Sequence, residues 1–210
     1  MQRETISMTQ KGFYIDTTRC AGCRTCSVAC KDLKNTPAGM NFRRVTEFEG
    51  GGWQKNWDGT WRQDVFAYYI SISCNECSDP ACVKVCPTHA HHKRAEDGLV
   101  VIDQEKCIGC GACAKACPYG APQLDQAIGK MRKCDGCVDR TSRGLQPVCV
   151  ESCPERAIEF GDIDMLRKKH GECAEIAPLP SASLTKPNLV IKPCRTAKPV
   201  GFKGGTAHKF

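Results

Sequence analysis

The chain has 210 residues, 41% of them hydrophobic, 18 cysteines and a formal net charge of +7. That length buries one core or two small ones, and the apolar content excludes bulk disorder. The longest apolar runs, around 65–72 and 99–102, fall well short of the ~20 residues of a membrane-spanning helix. About one residue in twelve is Cys, a density that means disulfides or bound metal. Residues 1–11 are polar and lack the apolar centre of a secretory signal, and Met8 is an alternative start. Synthesis in a reducing compartment is the expectation, and there the same cysteines favour metal. The twin arginine Arg43-Arg44 is internal with no apolar stretch behind it, so it reads as structure. The positive charge does not require nucleic acid. Bound metal with anionic thiolate ligands would offset much of that charge.

In chain order, residues 12–16 (GFYID) predict a strand ending in Asp. Group I follows: Cys20, Cys23, Cys26 and Cys30, spaced C-x2-C-x2-C-x3-C. Residues 41–73 hold no Cys; 42–48 and 65–73 alternate and are aromatic-rich, the pattern of a β-hairpin, with turns at Gly50-Gly51-Gly52 and Asp58-Gly59. Trp53, Trp57 and Trp61 near those turns read as a hydrophobic mini-core, with a docking surface as the alternative. Group II is Cys74, Cys77, Cys82 and Cys86, spaced C-x2-C-x4-C-x3-C and followed by Pro87. Asp97-Gly98 is a hairpin turn before the β-branched run 99–102. Group III is Cys107, Cys110, Cys113 and Cys117, with the spacing of group I and Pro118 behind it; group IV is Cys134, Cys137, Cys149 and Cys153, spaced C-x2-C-x11-C-x3-C and followed by Pro154. Residues 155–161 predict a turn into a strand, and 162–170 a short helix. Pro178, Pro180, Pro187, Pro193 and Pro199 argue against regular structure beyond it. Residues 189–191 are one short apolar anchor for a partner, and 201–210 look loose.

Sixteen of the 18 cysteines thus form a fourfold internal repeat. C-x2-C-x2-C wraps a loop around a cube of iron and sulfide, and small residues let the backbone approach the sulfurs. The fourth Cys sits on the following helix, faces away, and serves the other cluster of a pair. A third Cys at x2 and a fourth at x3 overfill a zinc site, although group IV alone would pass as one. Groups II and III, with the hairpin between them, have the layout of a bacterial two-cluster ferredoxin. The strand before group I and the strand after group IV complement each other in the same way. The expected fold is therefore α+β: two intertwined ferredoxin-like modules, 12–40 with 127–170 and 74–126, a β-hairpin insertion at 41–73 and an irregular tail at 171–210. Cys173 and Cys194 fall outside every group and read as free thiols; His89, His91 and His92 read as surface residues. No Ser–His–Asp set, phosphate loop or dinucleotide fingerprint is visible, so no substrate chemistry is expected.

The stretches FAYYISISCNEC, DPACVKVCP, CIGC, ACPYGAP, KCDGC, CVESCP, LRKKHG, APLP, TKPN and VIKP, with the group order and spacing, closely resemble the iron–sulfur subunits of anaerobic dimethyl sulfoxide reductases. These belong with the four-cluster subunits of molybdopterin oxidoreductases. The resemblance implies four [4Fe–4S] clusters held by Cys20, Cys23, Cys26 and Cys153; by Cys30, Cys134, Cys137 and Cys149; by Cys74, Cys77, Cys82 and Cys117; and by Cys86, Cys107, Cys110 and Cys113. Nitrate reductase subunits lack Cys at the second position of group III and lose an iron there, whereas Cys110 implies a full cube. It further implies a non-catalytic relay between a quinol-oxidising membrane anchor and a molybdopterin subunit that reduces dimethyl sulfoxide or N-oxides. The alternative is the same relay for a tetrathionate, polysulfide, selenate or formate enzyme. The implied place is the periplasmic membrane face, reached as a folded passenger of the catalytic partner after assembly in the cytoplasm.

Overall fold

The structure is a computed structural model that describes residues 9–209, so the alternative start at Met8 lies outside the described residues. Strand β1 (Lys11–Asp16) leads into the group I loop, and α1 (Thr25–Leu33) carries Cys26 and Cys30. Then come β2 (Arg44–Gly50), the short pair β3 (Trp53–Lys55) and β4 (Trp61–Gln63), and β5 (Phe66–Ile72). Group II holds α2 (Ala81–Lys84), followed by β6 (His91–Lys93) and β7 (Val100–Ile102); group III holds α3 (Ala112–Ala116), followed by β8 (Gln123–Asp125) and β9 (Lys130–Arg132). Group IV holds α4 (Val138–Thr141) and α5 (Val148–Glu151) before β10 (Ile158–Asp162) and α6 (Ile163–His170). The last strands are β11 (Leu189–Lys192) and β12 (Gly205–Lys209).

These strands follow one rule. The strand leaving each cysteine group pairs antiparallel with the strand leading into the next: β2 with β5, β6 with β7, and β8 with β9. The cycle closes when β10, leaving group IV, pairs with β1, leading into group I, in the register Ile15↔Ile158. Helices pair to match, α1 against α5 and α2 against α3. Short strands and one-turn helices are weak on their own, so the packing between them supports the fold.

Strand β1 is buried on both faces. Phe13 and Ile15 enter the largest core, with Val45, Phe48, Phe66, Tyr68 and Ile70, while Tyr14 packs with Ile163, Leu166 and Val190 beneath α6. Asp162 caps α6, accepting from the backbone N–H groups of Asp164 and Met165 at 3.0 and 3.1 Å. Three cysteines of the repeat, Cys26, Cys149 and Cys153, belong to that largest core.

Three expectations are corrected. The tail is not irregular: β11 runs parallel to β1 in the register Tyr14↔Val190, and β12 pairs antiparallel with β2. Pro187 and Pro193 bracket a proline-free stretch whose Leu189, Val190 and Ile191 are at most 1% exposed, so these residues anchor the tail to its own chain. Residues 205–209, expected to be loose, form a strand. The tryptophans form no mini-core: Trp53, Trp57 and Trp61 are 66%, 100% and 60% exposed. The β3–β4 ribbon has no layer behind it, and its register sets Trp53 opposite Gln63 and Trp61 opposite Lys55.

Candidate metal centres

The four cysteine loops share backbone geometry as well as spacing. The residue before the second Cys of each C-x2-C takes a positive φ: Gly22 at 71°, Glu76 at 46°, Gly109 at 69° and Gly136 at 67°. Glycine suits this turn, and at Gly109 a Cβ would also lie 2.1 Å from the carbonyl oxygen of Gly129. Glu76 is the exception. It is held there because its carbonyl oxygen accepts from Asn188 Nδ2 at 2.7 Å and its Oε2 accepts from the Val100 N–H at 2.5 Å. A second left-handed residue recurs three positions after the last Cys of groups II, III and IV, at His89, Gly120 and Arg156. The chain then turns backbone N–H groups onto sulfur: His91 donates to Cys86 Sγ at 3.5 Å, Ala121 to Cys117 Sγ at 3.5 Å and Ala157 to Cys153 Sγ at 3.3 Å. Met131 N–H does the same to Cys107 Sγ at 3.4 Å.

The structure gathers the cysteines across groups. Cys20, Cys23 and Cys26 line one cavity with Cys153. Cys107, Cys110 and Cys113 line another with Cys86. Burial pushes the Cys30 thiol up to about 12, and nearby Cys134, Cys149 and Cys137 push the same way. Burial likewise takes Cys82 up to about 12, opposed by Lys133 and reinforced by Cys117 and Cys77. Cys74 is raised too, by burial and then by Glu76. Cys153, Cys86, Cys30 and Cys117, the last Cys of each group, thus lie with cysteines of another group.

All 18 cysteines are free. Among the described residues no three His, Cys, Asp or Glu side chains converge as closely as a single ion requires; a lone zinc draws its sulfurs to ~2.3 Å from one point. Buried thiols prefer to stay protonated. Their thiolates need strong local positive charge, which a multi-iron centre supplies. Soft sulfur donors, N–H groups aimed at those sulfurs and buried cations beside them fit an iron–sulfur cluster. Arg43 is one such cation, 1% exposed. Its guanidinium donates to Ser71 Oγ at 3.3 Å and Ser73 Oγ at 2.9 Å, and Ser71 Oγ lies 3.3 Å from Cys26 Sγ. Lys133 is another, its Nζ 3.4 Å from Cys74 Sγ.

Cys173 and Cys194 stay outside these sets and pack against the largest core. Of the three histidines read as surface residues, His89 and His92 are exposed, but His91 is 2% exposed and lines the cavity of Cys86, Cys107, Cys110 and Cys113. The two-residue period of β6 turns His91 inward and His92 outward. That period was the available signal for His91. Arg43 and Lys133 carried no comparable signal and were missed, since their residue type gives no hint of burial.

Residues 65–163 match the family model described as a 4Fe-4S dicluster domain. The chain is 60% identical over 197 residues to the B component of anaerobic dimethyl sulfoxide reductase from Shigella flexneri, covering 94% of this chain and 95% of that one. It is 54% identical to the protein of the same name in Haemophilus influenzae, covering 94% and 96%. The B component of sulfite dehydrogenase from Allochromatium vinosum is 37% identical over 74% of this chain and 70% of its own.

Proposed function

This protein is a member of the family formed by the B components of anaerobic dimethyl sulfoxide reductases, and on that premise we propose that it relays electrons through four [4Fe–4S] clusters, from a quinol-oxidising membrane anchor to a molybdopterin subunit that reduces dimethyl sulfoxide or N-oxides. It is a non-catalytic electron-transfer subunit. The observation that carries the four-cluster reading is the exchange of the last cysteine between groups, which links sites I with IV and II with III. The sixteen ligands are then Cys20, Cys23, Cys26 and Cys153; Cys30, Cys134, Cys137 and Cys149; Cys74, Cys77, Cys82 and Cys117; and Cys86, Cys107, Cys110 and Cys113. Two ferredoxin-like modules, 12–40 with 127–170 and 74–126, hold them, the second inserted within the first through the hairpin at 41–73. The cyclic strand pairing supports this division.

Replacing Cys110 by Ser is expected to leave a three-iron cluster in its site, since one corner iron loses its protein ligand. Electron paramagnetic resonance of the oxidised variant reads this as a new three-iron signal. An unchanged spectrum removes Cys110 from the ligand set.

Among the described residues no helix is long and apolar enough to cross a membrane. In the proposed assembly the clusters are inserted in the cytoplasm, and the folded chain travels with a catalytic partner that carries a twin-arginine signal. It then sits at the periplasmic face on the anchor. Anaerobic purification from membranes tests the whole reading: a molybdopterin subunit and an integral membrane subunit should co-purify, with sulfoxide reduction by a quinol analogue. Deleting the catalytic subunit's gene should strand the chain in the cytoplasm. A chain that reaches the periplasmic face without that partner excludes the passenger route.

A further inference from the structure

Lys133 follows the end of β9, directly before Cys134, and its side chain turns away from water: the residue is 6% exposed. Its Nζ reaches Cys74 Sγ at 3.4 Å and the Cys134 carbonyl oxygen at 2.7 Å, and it also donates to the Val100 carbonyl oxygen. An ammonium has three N–H donors, so these partners account for all of them. Two of the three involve cysteines of different proposed clusters, Cys74 of one and Cys134 of the next. Both cysteines share one small core with Cys30.

No carboxylate among the described residues lies within ion-pair distance of Lys133. An acidic group that acts on it is Glu76, itself fully buried, whose Oε2 accepts from the Val100 N–H and whose carboxyl also bonds the Cys74 thiol. A cation kept charged in a low-dielectric interior must be balanced by negative charge close by. Here the groups placed to supply it are the Cys74 sulfur, 3.4 Å from the ammonium, and the buried Glu76.

We propose that Lys133 is the electrostatic link between the Cys74 and Cys134 sites, raising the reduction potentials of the two clusters on either side of it and so setting the step by which electrons cross between modules. This role rests on the four-cluster reading. A cluster gains one negative charge on reduction, and a fixed cation beside its ligand sulfur favours that state more than the oxidised one. Arg43 is a second buried cation beside a cysteine site, reaching the Cys26 sulfur through Ser71 Oγ. The cavity of Cys86, Cys107, Cys110 and Cys113 is lined by His91 and by no Lys or Arg. Lys133 is a positioning residue: it touches a ligand, not a substrate.

The test is a redox titration of the intact complex, followed by electron paramagnetic resonance, for Lys133→Met, Lys133→Gln and Lys133→Arg. The exposed Lys168→Met serves as a control, since Lys168 lies on α6 away from every cysteine group. Lys133→Met should keep four clusters and lower one or two midpoint potentials, at least a tenfold loss of electron affinity, or about 59 mV for a one-electron couple. Lys133→Arg should restore most of that loss, and Lys168→Met should change nothing. Four clusters with unchanged midpoints in Lys133→Met overturn the proposal. If Lys133→Met loses a cluster, Lys133→Gln against Lys133→Arg decides, and equal midpoints in that pair overturn it. An unaltered chain holding fewer than four clusters would instead overturn the underlying reading.

Discussion

Stripping the iron from this protein is expected to abolish its cooperative fold. Two of its small cores are half sulfur: Cys30, Cys74 and Cys134 sit with Met40, Phe42 and Ala121, and Cys82, Cys107 and Cys113 with Ala90, Val100 and Met131. The apolar partners are too few to hold those elements by burial alone, at ~1.5–3 kcal/mol for a full-sized side chain. The helices inside groups II to IV have four or five residues each, well below the length at which a helix is stable alone. Non-glycine residues at positive φ, Glu76, His89, Cys137 and Arg156 among them, add strain of order 1 kcal/mol each. Against this, a structural metal site contributes roughly 10 kcal/mol or more, as much as the net stability of a typical domain. Losing one cluster is therefore enough to melt its module, and losing all of them leaves a chain without a folded state. The measurement is the amide NMR spectrum and thermal transition of chelator-treated, reduced protein. Collapsed amide dispersion and no sigmoidal melt are expected; a dispersed spectrum from iron-free protein would show that the side chains alone carry the fold. Acid should hasten the loss, because metal-bound thiolates must take up protons as they are released.

The cysteine groups stand out in the sequence because their spacing is local: groups I to III each set three cysteines within seven to nine residues, while group IV spreads its three from Cys134 to Cys149. The left-handed turn before the second Cys was legible at Gly22, Gly109 and Gly136 for the same reason. At Glu76 it was not, since long-range bonds from Asn188 and Val100 hold that backbone. The tail misled for a related cause. The partner of Leu189–Lys192 is β1, some 175 residues earlier, and a parallel pairing at that separation leaves no local pattern beyond three apolar residues. Proline frequency suppressed the expectation of structure, although the prolines mark the ends of the strand. The tryptophans were misread in the opposite direction: aromatic residues close in sequence say nothing about whether another layer covers them. The surplus of Lys and Arg was read as balancing cluster charge. The burial of Arg43 and Lys133 beside cysteines gives that balance two addresses that composition could not supply.

Truncating the chain after residue 186 is expected to destroy it as thoroughly as removing iron. The deleted segment begins a staple between the first and second cysteine loops. Asn188 donates from Nδ2 to the Glu76 carbonyl oxygen at 2.7 Å and to Ser78 Oγ at 3.1 Å, its N–H donates to the Asn75 carbonyl oxygen at 2.8 Å, and its own carbonyl oxygen accepts from the Phe13 N–H at 3.2 Å. Lys192 continues the contact, its carbonyl oxygen accepting from Thr17 Oγ1 at 2.8 Å, and Cys194 N–H donates back to that hydroxyl at 2.8 Å. Between them Leu189, Val190 and Ile191 bury their side chains on both faces of the β10-β1-β11 sheet. Three such side chains stabilise by about 5–9 kcal/mol, against a typical net stability of roughly 5–15 kcal/mol. Their loss uncovers β1, whose carboxyl end leads directly into Cys20, so the cluster loop loses its support as well. A chain ending at residue 203 discards only β12, an edge strand on β2, and should keep its iron with a modest drop in melting temperature. Ile191→Asp should mimic the longer truncation by placing an unpaired carboxylate in the largest core. Anaerobic expression, iron analysis and thermal melts of the three variants give the comparison. If the chain ending at 186 retains full iron and melts with the intact protein, β11 is dispensable and the fold closes at α6.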